Sequence, residues 1–390
     1  MHTRRLIIAA MLGAVAAAPA MAQDTMKVGL ILPMTGQQQS TGKQIEAAVR
    51  LYMAQNGDTP TGKRIEILLR DDAGVADTTK RLAQELIVKD KVIALAGFGL
   101  TPLAMATAPL ATQAKVPLIV MAAATSTITA ASPYVVRTSQ VLPQPAAAMA
   151  KWAVDNGIKS AVTLVADYGP GIDAETWFTK GMKDGGGEVT AQLRTPLMAP
   201  DFAPVLQRAA DAKPQALFAF VPSGQGAALA KQFAERGLDK SGIRFIATGD
   251  VTDDDQLNGM GNAMLDVVTA GFYSASHQSE LNRKFVAAFK VANPSMRPNF
   301  MAVAGYDGMA LLYSALRKTK GNTDGTALVE AMKGMSWESP RGPMMIDPET
   351  RDVVHNIYIR KVERVNGELF NTEFATIPMV KDPAKAAAKP

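Results

Sequence analysis

Short apolar runs alternate with longer amphipathic ones along this chain from residue 28 onward. Residues 28–32 read as a strand, and 42–55 set Ile45, Ala48, Val49 and Tyr52 at helical spacing. Strands are predicted again at 65–69, 92–96 and 118–121, with helices at 78–89 and 103–114 between them. The strands are nearly continuous in Val, Ile, Leu and Ala, as expected of a parallel sheet covered on both faces.

The series restarts after Leu142-Pro143-Gln144-Pro145. Helices are predicted at 146–156, 174–183, 202–212 and 224–236, alternating with strands at 161–165, 189–193, 216–221, 245–247 and 267–272. Strand, helix, strand, repeated twice over, is the α/β pattern, and it predicts two doubly wound units. Three later helices, at 281–292, 301–318 and 326–332, carry more apolar surface than a linker needs and read as a return to the first unit. Strands at 344–346, 356–362 and 368–376 close the series, with a hairpin turn at Asn366-Gly367.

The first 22 residues read as a secretory leader: Arg4 and Arg5, an apolar stretch over 6–18, then Ala20-Met21-Ala22 before a cut after Ala22. Export is expected. The remaining length exceeds what one core organises, so two domains are expected. With 41 basic and 36 acidic side chains the chain is only mildly basic, which argues against nucleic acid as a partner. It has no cysteine and three scattered histidines, which removes thiol nucleophiles, iron–sulfur clusters and most zinc sites. Neither metal nor cofactor is expected. The 21 methionines read as core filler.

Ligands of open parallel sheets sit beyond the carboxyl ends of the strands. Four such ends stand out, beside a fifth at Val221-Pro222-Ser223-Gly224-Gln225-Gly226. Gly97-Phe98-Gly99-Leu100-Thr101-Pro102 opens a helix whose amides, with the Thr101 hydroxyl, suit a carboxylate; its plain alternative is a helix cap. Ala122-Ala123-Ala124-Thr125-Ser126-Thr127 leaves room against bare backbone. Asp167-Tyr168-Gly169-Pro170-Gly171 presents an aromatic that can lie on a ligand. Thr248-Gly249-Asp250-Val251 supplies an acceptor for an ammonium or a hydroxyl. Asp253-Asp254-Asp255 reads as capping for a helix beginning near Asp253, not as a calcium loop. The phosphate-loop lookalikes at 36–43 and 57–63 fail on spacing or context, and neither Gly-x-Ser-x-Gly nor His-Glu-x-x-His occurs. No catalytic residue is assigned, and the chain is not expected to be an enzyme.

Taken in order, these segments resemble the periplasmic binding proteins of branched-chain amino acid ABC transporters, the Leu/Ile/Val-binding family. The likeness begins at Val28-Gly29-Leu30-Ile31-Leu32-Pro33-Met34-Thr35-Gly36 and continues through Arg70-Asp71-Asp72, Asp167-Tyr168-Gly169-Pro170-Gly171 and Gly305-Tyr306-Asp307. It implies a periplasmic destination and a type I periplasmic-binding-protein-like α/β fold, two doubly wound parallel-sheet lobes joined by three hinge crossovers. Lobe one is expected over 26–142 plus 273–341 and lobe two over 143–272 plus 342–380, with 381–390 a disordered tail.

By that resemblance Thr101, Ala123 and Thr125 would bind the carboxylate of a ligand, Tyr168 would cover it, and Asp250 would meet its ammonium. Two departures, Thr41 and Pro222 where relatives often carry aromatics, are expected to widen the pocket. The family reading is therefore a monomer that captures a branched-chain or related amino acid by hinge closure and passes it to a membrane permease. Binders of aromatic or hydroxy acids, and a sensory protein on the same fold, are the alternatives.

Overall fold

The computed structural model describes residues 25–387 apart from Ala199, so the expected leader lies outside the described residues. Its first sheet consists of β1 (Thr25–Leu32), β2 (Arg64–Asp71), β3 (Ala94–Gly97), β4 (Leu118–Val120) and β5 (Val135–Arg137), interleaved with α1 (Gln39–Asn56), α2 (Ala76–Val88) and α3 (Thr101–Ala114). The order is β2-β1-β3-β4-β5 and every pair is parallel. A strand of three residues, β5 is too short for its periodicity to show.

The second unit opens on α4 (Pro143–Asp155) and runs through β6 (Ser160–Ala166), α5 (Gly169–Asp184), β7 (Glu188–Thr195), α6 (Ala203–Asp211), β8 (Ala216–Phe220), α7 (Gly226–Glu235), β9 (Arg244–Thr248), α8 (Leu257–Met260) and β10 (Val268–Gly271). Burial follows position in the sheet. All five residues of the central strand β8 are buried, whereas the edge strand β7 exposes Glu188, Thr190, Gln192 and Arg194 at period two.

Helices α9 (Glu280–Ala292), α10 (Phe300–Lys318) and α11 (Gly325–Met332) follow, and α10 returns to lie along α1 of the first unit. The chain then adds β11 (Ser336–Ser339), β12 (Gly342–Ile346), β13 (Val353–Val365) and β14 (Glu368–Val380) to the second sheet. That sheet has nine strands, ordered β11-β12-β13-β10-β9-β8-β6-β7 with β14 on β13, and its late strands are antiparallel.

Two expectations are corrected. The expected lobe boundary at residue 341 falls too late: β11 pairs with β12 and so belongs to the second sheet. The expected disordered tail is ordered through Ala387 as α12 (Pro383–Ala387). Its Pro, Lys and Ala composition hides specific anchors. Asp382 accepts from the Ser126 hydroxyl, Lys385 pairs with Asp352, and Lys381 reaches Asp347 at 3.0 Å. Residues 388–390 lie outside the described residues.

The chain passes between the two sheets three times, after β5, after β10 and after α11. Three fully buried arginines sit at these passages. Arg137 pairs with Asp352 at 2.8 Å and donates to the carbonyls of Ala123, Thr125 and Gln140. Arg341 pairs with Asp307 at 2.9 Å and donates to Thr138 and Ser139. Arg360 donates to the Tyr273 carbonyl and the Thr269 hydroxyl. Removing one partner from such a buried pair strands the other, at a cost of about 3–5 kcal/mol.

Candidate cleft between the lobes

The carboxyl ends of β1, β3, β4, β6, β8 and β9 face a small cavity of about 20 Å³ between the two closed units. The first unit builds its side from tight backbone. Gly97 (φ 111°) and Phe98 (φ 67°) both lie in the left-handed region after β3. Any Cβ at Gly97 would meet the Ile31 carbonyl at 2.2 Å. Phe98 tolerates its strained conformation because its backbone is held on both sides: its amide donates to Ile31 and its carbonyl accepts from Ala123. This turn delivers Leu100 and Thr101 to the cavity at the start of α3.

Ala122, Ala123 and Ala124 complete that wall. The amide of Ala123 is committed to Phe98, and its carbonyl accepts from Arg137 at 3.3 Å and Ser139 at 3.4 Å. Its contribution to the cavity is a methyl group and bare backbone. Thr125 stands one step back. Its hydroxyl is 2.8 Å from that of Thr101, and it packs against Gly169 of the opposite unit, where an added Cβ would lie 2.4 Å from Thr125 Oγ1. The amide of Ser126 donates to Asp173 of α5 at 2.8 Å. The two units are therefore closed on one another.

The second unit supplies side chains. Tyr168, the residue preceding α5, lies 6.1 Å from Phe220 with the two rings inclined by 22°. Burial, with the Asp250 charge adding to it, holds the Tyr168 phenol well above its ordinary pKa. Pro170, Pro222 and Ser223 continue the wall. Asp250 follows β9. Its Oδ2 accepts from Thr248 Oγ1 at 3.1 Å and from Gln140 Nε2 at 3.2 Å. Burial pushes the Asp250 carboxyl up to about 6 in spite of these donors.

Helices α1, α3, α5 and α7 all begin at this cleft, with Gln38, Thr101, Tyr168 and Ser223 at or near their starts. Their unpaired first amides and positive dipole ends favour an anion. No Lys or Arg lines the cavity, so these amides and the Thr101 hydroxyl are the donors it offers. Thr101, Ala123, Tyr168 and Asp250 thus meet at one cavity, and Thr125 backs it.

Other expectations change. Thr41 is buried against Gly99 and does not line the cavity; Gln38, three residues earlier, does. Pro222 does line it, where the closed cavity is small. No helix begins at Asp253. That side chain accepts locally from the Asp255 amide at 3.0 Å, ahead of α8, and also from Ser223 and from Asn299 Nδ2 at 2.9 Å, joining the second unit to the start of α10. The strand-end rule reaches Gln38 and Phe220 as readily as Thr101. Met301, which enters from a distant helix, has no local signal.

Comparison with known proteins places this architecture. The family model described as "Periplasmic binding protein" matches residues 25–368. The "Leu/Ile/Val-binding protein homolog 6" of Brucella abortus is 43% identical over 377 residues, 95% of this chain and 96% of that one. A solute-binding protein of an ABC transporter from Rhodopseudomonas palustris BisB5, solved in complex with 3,4-dihydroxybenzoic acid, is 62% identical, with a TM-score of 0.91 over 93% of this chain and 99% of that one. Another, from Rhodopseudomonas palustris HaA2 and solved with p-hydroxybenzoic acid, is 40% identical, with a TM-score of 0.91 over 93% and 100%. Two closed lobes, strand ends converging on one small cavity and these likenesses agree: the chain belongs to the periplasmic binding protein family, as a solute-binding protein of the ABC-transporter kind.

Proposed function

We propose that this protein captures a hydroxylated aromatic carboxylate, of the hydroxybenzoate kind, by lobe closure and presents it to an ABC permease. The observation that carries the reading is the cavity's lining. Tyr168, Phe220, Pro222, Leu100 and Met301 wall it with apolar surface, and Asp250 is the one carboxylate among its lining residues. Such walls suit the faces of a benzene ring taken up before the lobes shut, helix starts would hold the ring's carboxylate, and Asp250 would accept from its hydroxyl. The relatives solved with 3,4-dihydroxybenzoic and p-hydroxybenzoic acids support the same class. In this reading the leader is cut after Ala22, and the mature protein works in the periplasm as a monomer. The moving bodies are residues 26–142 with 273–335, and 143–272 with 336–380.

The sequence alone pointed first to an aliphatic amino acid, and the Brucella abortus relative's name keeps that reading in view. An ammonium has three protons to place. The Ala123 carbonyl already accepts twice, and one oxygen of Asp250 is engaged twice over. What remains suits a hydroxyl.

Titration calorimetry with 4-hydroxybenzoate, benzoate and leucine tests the proposal. The expected order of affinity is 4-hydroxybenzoate, then benzoate, then leucine. Asp250→Asn is expected to narrow the gap between the two aromatic acids. Leucine binding more tightly than either acid would overturn the reading and restore the amino acid.

A further inference from the structure

Asp250 reaches the cavity from the second unit, yet one of the two donors that orient it comes from elsewhere. Gln140 lies in the first crossover between the lobes, 110 positions away in sequence, and is 4% exposed. Its backbone is fixed by the same guanidinium that fixes the small-residue turn of lobe one. Arg137 donates to the carbonyl of Gln140 at 3.2 Å and to those of Ala123 and Thr125. On either side, Arg341 holds the Ser139 carbonyl, and the Leu142 amide donates to Ala124. The Gln140 side chain thus starts from a clamped backbone.

Both side-chain donors to Asp250, Gln140 Nε2 and Thr248 Oγ1, are neutral and both meet Oδ2. Among the described residues Asp250 forms no ion pair; the nearby Arg360 directs its terminal nitrogens to Tyr273 and Thr269. A buried carboxylate held by one oxygen keeps its other oxygen as an acceptor with a fixed direction.

We propose that Gln140 is a positioning residue for ligand choice: by holding Oδ2 of Asp250 it turns the other carboxyl oxygen to the cavity and selects ligands that donate a hydroxyl proton there. The inference rests on the hydroxyaromatic reading above and extends it to a residue outside the cavity wall. Without Gln140 the carboxyl keeps Thr248 as its single side-chain donor and turns more easily, so its preference for a hydroxyl weakens. A residue that merely stiffened the crossover would alter the binding of all ligands alike.

The readout is the ratio of dissociation constants, benzoate over 4-hydroxybenzoate, measured by calorimetry for wild type, Gln140→Leu and Gln140→Glu. In Gln140→Leu the ratio is expected to fall by about tenfold, the scale of one charge-assisted hydrogen bond. Gln140→Glu keeps size and polarity but sets a second carboxyl against Asp250, with the Tyr168 phenol and the Arg360 guanidinium as the other titratable neighbours. At pH 5 the two carboxyls share a proton, the Glu hydroxyl replaces the amide donor, and the ratio stays near that of wild type. At pH 8 the donor is gone and the ratio falls as in the leucine variant.

An unchanged ratio in both variants, or an equal weakening for both ligands at every pH, overturns the role of Gln140 while leaving the hydroxyaromatic assignment standing. A wild-type ratio of one overturns the assignment itself and this inference with it. Since Gln140→Glu is read against itself at two pH values, the test does not depend on the leucine variant folding well.

Discussion

The two faces of the cleft are made of different material. Lobe one offers Thr101, three consecutive alanines and helix starts, with its polar groups already bonded to one another or to Arg137. Lobe two offers large side chains, Tyr168, Phe220, Pro222 and Asp250. One side is a cradle of backbone and small side chains, which on the proposed reading faces the ligand's carboxylate. The other carries the shapes and charges that tell one carboxylate from another. On that reading both lobes contribute helix starts to the anion, lobe two carries most of the selectivity, and closure is the step that joins them.

The contrast fails most visibly if closure is blocked. Gly169→Val sets a branched side chain against Thr125, whose hydroxyl would lie 2.4 Å from the new Cβ. The open form has no such clash, so the ligand-free unfolding temperature is expected to stay close to that of wild type. Affinity is expected to drop by about 100-fold or more, because every contact from lobe two is lost together, and central aromatic contacts are worth about 2 kcal/mol or more each. Calorimetry beside thermal denaturation checks both halves.

Tyr168→Ala removes one wall and leaves closure possible. Affinity for all aromatic acids is expected to fall by about 30-fold, equivalent to ~2 kcal/mol. Equal losses for benzoate and 4-hydroxybenzoate would mark Tyr168 as a ring-packing wall; a loss confined to the hydroxy acid would show that its phenol takes part in recognising the hydroxyl.

The smallest effect expected is on pH dependence. Burial raises Asp250 from 3.8 to about 6, so closing over Asp250 with no ligand hydroxyl to bond it takes up a proton between those values. The protonated form therefore favours closure, and benzoate binding is expected to weaken several-fold as pH rises from 5 to 7. With 4-hydroxybenzoate the donated hydroxyl stabilises the charged carboxyl, lowers its pKa in the complex and flattens the profile. Calorimetry across that range distinguishes the two slopes.

Much of this was legible in the sequence, because parallel strands announce themselves as continuous apolar runs and their carboxyl ends are where ligands collect. Thr101, Tyr168 and Asp250 were found by that rule alone. What was missed depends on contacts between distant segments. Gln140 gains its meaning from Asp250 across 110 residues, and Asp253 from Asn299 across 46. Local pattern made Asp253 a helix cap, because three consecutive aspartates before a helix usually are. The ordered segment after Val380 was hidden likewise: its composition is that of a solvated tail, while Asp382 and Lys385 find partners at Ser126 and Asp352.

The meeting of Thr125 with Gly169 also invites a covalent bolt. A Cβ on Gly169 would lie 3.3 Å from that of Thr125, close to the roughly 3.5–4.5 Å separation that a disulfide spans. The chain contains no cysteine of its own. Two thiols introduced at these positions would have only each other for an intramolecular partner, and could form their bond only while the lobes are shut. Oxidation in a mixture of solutes would then lock in whatever the cleft had chosen, and reduction after washing would release it for identification.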